Sequence, residues 1–114
     1  MNAIITTYDV LRGAAALVRS GWCQGAFAKD STGCHVPPHS PTAMAWDIFG
    51  AVSRSAGGDG NLAAAALHRL DVMSGEEPMN ASGLAVMTWN DKHGRTVSDV
   101  ADLLERAAVM ESLA

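Results

Sequence analysis

The stretch "GWCQGAFAKDSTGCH", residues 21–35, holds Cys23, Cys34 and His35, and these side chains allow two kinds of chemistry. A thiol becomes a nucleophile when its pKa is lowered and an imidazole lies in reach, with an Asn or Asp orienting the ring. Cys23 is the thiol for that reading. The partners on offer are His35, His39, His68 and His93, with Asp47, Asn90 and Asp91. Cys23 lies just past the C-terminal end of a predicted helix, where the dipole opposes a thiolate. Cysteine is also among the most buried residue types. A packed, inert thiol is the expectation, so no catalytic residue is assigned; Cys23, Asp91 and His93 stand as the minor candidates. The second chemistry is zinc binding, for which Cys23, Cys34, His35 and His39 have the donor atoms. The cysteines lack the tight C-x2-C spacing, and although His35 and His39 stand four apart, Pro37 and Pro38 break the helix that would align the two imidazoles. No metal and no cofactor are expected, and these four are only minor candidates.

A second cluster is "TWNDKHGRT", residues 88–96, which sets Asn90, Asp91, His93 and Arg95 in one loop beside Trp89. Functional loops have this composition. Ordinary turns share it: Asn and Asp form Asx-turns, Gly94 permits positive φ, and Thr96 can cap the next helix. The structural turn is favoured, with binding as the alternative. His68 reads as a surface or helix-packing residue. "GGDG" precedes a helix that could hold an anion, but it has no strand before it and no lysine, and reads as a connector.

These side chains must be positioned by short helices. Thr6 with Asp9 is a shorter-armed capping box, and Val10, Leu11, Ala14, Leu17 and Val18 recur at helical spacing, so a helix is predicted over 7–20, with Gly21 as its left-handed end. Asp30 to Gly33 is a polar turn, and pairing Ala26–Ala28 with Cys34–Val36 predicts a β-hairpin within about 24–36, anchored by Trp22 and Phe27. Ser40 before Pro41 is an N-cap signal for a helix over 41–56 that carries Met44, Ala45, Ile48, Phe49 and Val52 on one face. A third helix is predicted over 61–73 with Leu62, Ala66, Leu70 and Met73, and a short one over 81–89. The last starts after Thr96, capped with Asp99, and carries Val97, Val100, Leu103, Leu104, Ala107 and Met110. The predicted fold is mainly α: a small single domain, 1–114, of four to five helices with a β-hairpin after the first helix.

Composition narrows the function. The chain has 114 residues, enough for one modest core. Net charge is −4 and the arginines are scattered, whereas nucleic-acid binding needs a concentrated positive footprint, so that partner is disfavoured. The opening "MNAIITTYDVLRG" does not read as a signal peptide. No apolar run approaches the roughly 18 residues of a membrane span. A cytoplasmic chain with free thiols is the expectation.

Three pieces stand in the order of a known family: "GWCQGAFAKDSTG", "AMAWDIFGAVSRSAG" and "MTWNDKHGRTVSDVADLLERAA". With them the chain resembles a domain-of-unknown-function family of small bacterial and phage proteins that read, loosely, GWCQG, then A..WC..GAL.RA, then WND..GRT..EV...L..A. The resemblance covers most of residues 8–109. It implies no activity or cofactor, but singles out Trp22, Cys23, Gln24, Gly25, Trp46, Gly50, Trp89, Asn90, Asp91 and Thr96. The chain departs from the family at Asp47, where a second cysteine often follows the tryptophan, and Cys34 has no counterpart there. Physically, the three tryptophans are expected to meet in one cluster, with Gln24 and Asn90 satisfying indole or backbone N–H groups.

The functional expectation is a small accessory or regulatory protein that binds a protein partner, associated with phage or mobile elements or with bacterial housekeeping. The binding candidates are Trp22, Gln24, Trp46, Trp89, Asn90, Asp91 and Arg95. A homodimer through an alanine- and methionine-rich helix face is a further partner expectation. The alternative is an enzyme or ligand-binding domain using Cys23 with a histidine and Asp91.

Overall fold

The computed structural model describes residues 4–113. Residues 1–3 and 114, the extremes of the predicted domain, lie outside the described residues. Five helices and one two-stranded antiparallel sheet follow in the order α1 (Thr7–Ser20), β1 (Ala28–Lys29), β2 (Ala45–Trp46), α2 (Ile48–Ser55), α3 (Gly60–Ser74), α4 (Leu84–Asn90) and α5 (Val97–Ser112). The chain is mainly α, as its patterning predicts. No described helix is long and apolar enough to cross a membrane.

The first and last helices form where their local signals place them. Thr6 Oγ1 accepts from Asp9 N at 3.2 Å while Asp9 Oδ2 accepts from Thr6 N at 3.0 Å. Thr96 and Asp99 repeat the exchange at 3.1 and 3.0 Å. Each box satisfies two amides that a helix start leaves without partners. Val10, Leu11, Ala14, Ala15 and Val18 of α1 are buried, and so are Val100, Ala101, Leu103, Leu104, Ala107 and Ala108 of α5. The two helices pack closely through these alanines, and α1 also touches α2 and α3. Val97 and Met110, predicted on the buried stripe of the last helix, are exposed.

The middle of the chain departs from its local signals. The predicted helix start at Ser40-Pro41 does not form; α2 begins at Ile48 with Asp47 as its N-cap. Residues 44–47 are extended because other segments hold their backbone. Met44 N donates to Lys29 O at 2.8 Å, Trp46 N to Gly21 O at 3.0 Å and Asp47 N to Phe27 O at 3.2 Å. Met44, predicted on a helix face, is exposed instead.

β1 therefore pairs with β2, Ala28 opposite Trp46 and Lys29 opposite Ala45. The predicted partner at 34–36 lies on the other side of β1, joined by a single bridge between Lys29 and His35. The Asp30 turn that links them is built as expected: Asp30 Oδ1 accepts from Thr32 N, Thr32 Oγ1 and Cys34 N at 2.9, 2.6 and 3.0 Å. Gly21 ends α1 in extended rather than left-handed geometry, with φ −178°. A glycine is needed there because a Cβ would strike the Met44 carbonyl oxygen.

Candidate functional site

Asn90 closes α4 and is 0% exposed. Its Oδ1 accepts from Trp22 Nε1 at 2.8 Å and from Ile48 N at 3.1 Å. Its Nδ2 donates to Cys23 O at 3.3 Å and to Asp91 Oδ1 at 2.9 Å. A carboxamide offers two donors and a twofold acceptor, so all four positions are filled inside the protein. One side chain thereby joins the segment after α1, the start of α2 and the end of α4. Gln24 reinforces the seam, its Nε2 donating to Asn90 O and Lys92 O, both at 2.9 Å. Gly25 N donates to Asp91 Oδ1 at 3.1 Å.

The other two tryptophans are held separately. Trp46 is buried; its Nε1 donates to Pro38 O at 3.0 Å, and the Arg54 guanidinium lies over its ring at 5.1 Å. Arg54 also donates to Pro38 O and Ser40 O, both at 3.0 Å, which pins the proline connector. Trp89 lies under the Arg95 guanidinium at 3.9 Å, a cation–π distance. The three indoles thus have different polar partners, while Trp22 and Trp46 are neighbours through a parallel backbone bridge and Trp22 bonds to Asn90 beside Trp89. Among the described residues the stacked ring pair is Phe27 on Phe49, at 4.9 Å.

Beside this seam opens a pocket of about 640 Å³, between the 25–38 segment and the end of α4. Phe27, Val36, Pro37, Pro38 and Met87 give it apolar walls, and Asp47, Asp91 and His35 supply the ionisable groups. Asp47 is 1% exposed, and its Oδ1 accepts from Gly50 N at 2.6 Å as the cap of α2. Burial pushes its carboxyl up to about 7; the charge of Asp91 adds to the rise, and the N–H groups of Gly50 and Phe49 oppose it. Cys23 is buried beneath the same region, with Sγ 3.6 Å from Ala26 O. Burial first, then Asp47 and Asp91, push its thiol up to about 11 against a smaller opposing effect of Lys29.

The sequence-derived candidates are therefore divided. Trp22, Gln24, Asn90 and Asp91 meet at the seam, with Trp46 alongside on β2. Trp89 and Arg95 form a pair of their own. His39 and His93 are exposed, and neither lines the pocket. Cys34 is exposed and Cys23 buried, and no three His, Cys, Asp or Glu side chains group as metal ligands among the described residues. The pocket brings His35 and Asp91 together without Cys23.

Sequence reasoning named Asp47 only as a group that could orient an imidazole, and passed over Phe27, Val36 and Met87 as site residues. Asp47 carried a usable signal, an acidic residue directly before an apolar pair with glycine three positions on. The stronger Ser40-Pro41 signal upstream obscured it.

The family model described as "Family of unknown function (DUF6197)" matches residues 4–110 of the chain. No curated protein and no solved structure matches it.

Proposed function

We propose, for a chain that belongs to the DUF6197 family of unknown function, that its role is binding rather than thiol chemistry, with the pocket beside Asn90 receiving the ligand. One observation carries this reading. A pocket of about 640 Å³ with apolar walls converges on two carboxylates and an imidazole. Small-molecule sites have that volume and that mixture of apolar wall with a few placed polar groups. A nucleophilic thiol needs access and a lowered pKa, and Cys23 has neither. The free state of both cysteines supports a cytoplasmic setting.

A methyl-labelled NMR titration tests the pocket. Fragments spanning amines, acids and neutral aromatics are expected to include ones that move the Met87 methyl signal. Filling the pocket with Val36→Trp should abolish that movement while the Trp22 indole N–H signal, bonded to Asn90, stays in place. If no fragment moves Met87, or if the filled variant responds equally, the reading fails.

A second reading, protein association, draws on another surface. Val109, Met110 and Leu113 of the α5 end are exposed, as is Val72 on α3. Met110 and Val109 line a groove with Met73, Asp102, Glu105 and Arg106. Both charge signs flank the apolar strip, so two copies with antiparallel α5 helices can set Arg106 against Asp102. The occupant proposed is a second copy of the chain.

A further inference from the structure

We propose that the ligand group is an organic cation, an ammonium or amidinium on a small apolar body, seated between the carboxylates of Asp47 and Asp91. This rests on the pocket reading and specifies its chemistry.

Asp47 is the main reason. It is 1% exposed and lines the pocket; Gly50 N donates to its Oδ1 and the Phe49 N–H also favours its charged form, while no side chain of the described residues holds it. None of the ion pairs among the described residues involves it either. No buried polar side-chain atom among the described residues lacks a partner, so the remaining oxygen is reached from the pocket. A nearly buried carboxylate without a counter-charge is still costly, and a cationic donor arriving from the pocket relieves that cost.

Asp91 supplies the second acceptor. Gly25 N and Asn90 Nδ2 both hold its Oδ1, which fixes the carboxylate at the rim and leaves Oδ2 unengaged among the described residues. No lysine or arginine lines the pocket, so the wall carries no cation that would repel the guest. Phe27, Met87 and Pro37 offer apolar surface for its body. A metal ion suits the site less well, because these carboxylates and His35 do not group as metal ligands.

The geometry also couples binding to protons. The charged and titratable groups around Asp47 are Asp91 at the end of α4, His35 on the proline connector, and Lys29 and Cys23 behind the wall. With Asp47 pushed up to about 7 by burial, a cation must displace its proton at lower pH. Affinity therefore rises between pH 6 and pH 8.

The test titrates the full chain with benzylamine, benzyl alcohol and phenylacetate, reading the Met87 methyl signal at both pH values. Benzylamine is expected to bind at least about tenfold more tightly than benzyl alcohol at pH 8, a difference of roughly 1.4 kcal/mol, with phenylacetate weakest. Its affinity should increase several-fold from pH 6 to pH 8. Asp91→Asn should weaken it about tenfold, as loss of one charge-assisted contact does. His35→Gln should keep the rise with pH and Asp47→Asn should lose it; the Trp22 indole signal reports that each variant is folded. Should Asp47→Asn fail to fold, the probe ranking and Asp91→Asn still decide. Equal binding of the alcohol overturns the cation while leaving the pocket reading intact. A preference for phenylacetate does the same. Silence from all three probes overturns the cation, and the wider fragment panel then judges the pocket separately.

Discussion

Three side chains at the seam show how placement decides chemistry. Asn90 has every polar atom bonded inside the protein, so Asn90→Ala leaves the Trp22 indole N–H and the Ile48 amide without an acceptor. Each such orphan costs about 1–3 kcal/mol. Denaturant unfolding of the variant should show a loss on the order of 3–5 kcal/mol, and a loss under 1 kcal/mol would remove Asn90 as the joint. Cys23 and Cys34 should differ in reactivity. With Cys23 buried and its thiol pushed up to about 11, and Cys34 exposed, a disulfide reagent at pH 8 should titrate one thiol at once and the other only on unfolding. Asp47 has the opposite sense from a salt-bridged carboxylate. Its folded pKa is raised from 3.8 to about 7, so the folded state holds a proton that the unfolded chain has released. That stabilisation is fully present below the unfolded value and is lost as pH climbs through about 7. Asp47→Asn keeps an acceptor for Gly50 N and removes this slope. Unfolding free energy measured from pH 4 to pH 8 should fall for the native chain, by at most on the order of 4 kcal/mol from this group, and stay flatter in the variant.

Helix ends were the most legible elements. Thr6 with Asp9 and Thr96 with Asp99 announce their helices within four residues each, because a capping box is a local exchange of bonds. The start of α2 was not legible. Ser40-Pro41 is a sound local signal, but the backbone of 44–47 is claimed by Gly21, Phe27 and Lys29, residues far along the chain. The cap of α4 is equally non-local. Asp71, near the end of α3, accepts from Gly83 N at 2.7 Å and from Val86 N at 2.8 Å. Asp71→Ala should cost about 1–2 kcal/mol and, because α4 carries Asn90, should shift the Trp22 indole signal; an unchanged signal would show that α4 is held by packing alone. Gly50 marks where α2 meets the ribbon, since a Cβ there would strike the Phe27 carbonyl oxygen.

At the scale of the molecule, α1 is the central helix, packed on α2, α3 and α5. The two surfaces on which the proposals rest lie at different places: the pocket at the seam, and the apolar strip where α3 and α5 end. Sizing across a wide concentration range tests the second. Self-association should appear as earlier elution at high concentration, and Met110→Glu should abolish it. A native chain that elutes as a concentration-independent monomer contradicts the dimer.

The amino-acid sequence by itself determined the helical class, the caps of the first and last helices and the Asp30 turn, because each rests on contacts within a few residues or on a pattern along one helix. Tertiary structure alone decided the partner of β1, the start of α2, the different polar partners of the three tryptophans, and the pocket that joins Asp47 to Asp91. Those depend on which distant backbone groups remain unpaired once the helices pack, and no local spacing records that.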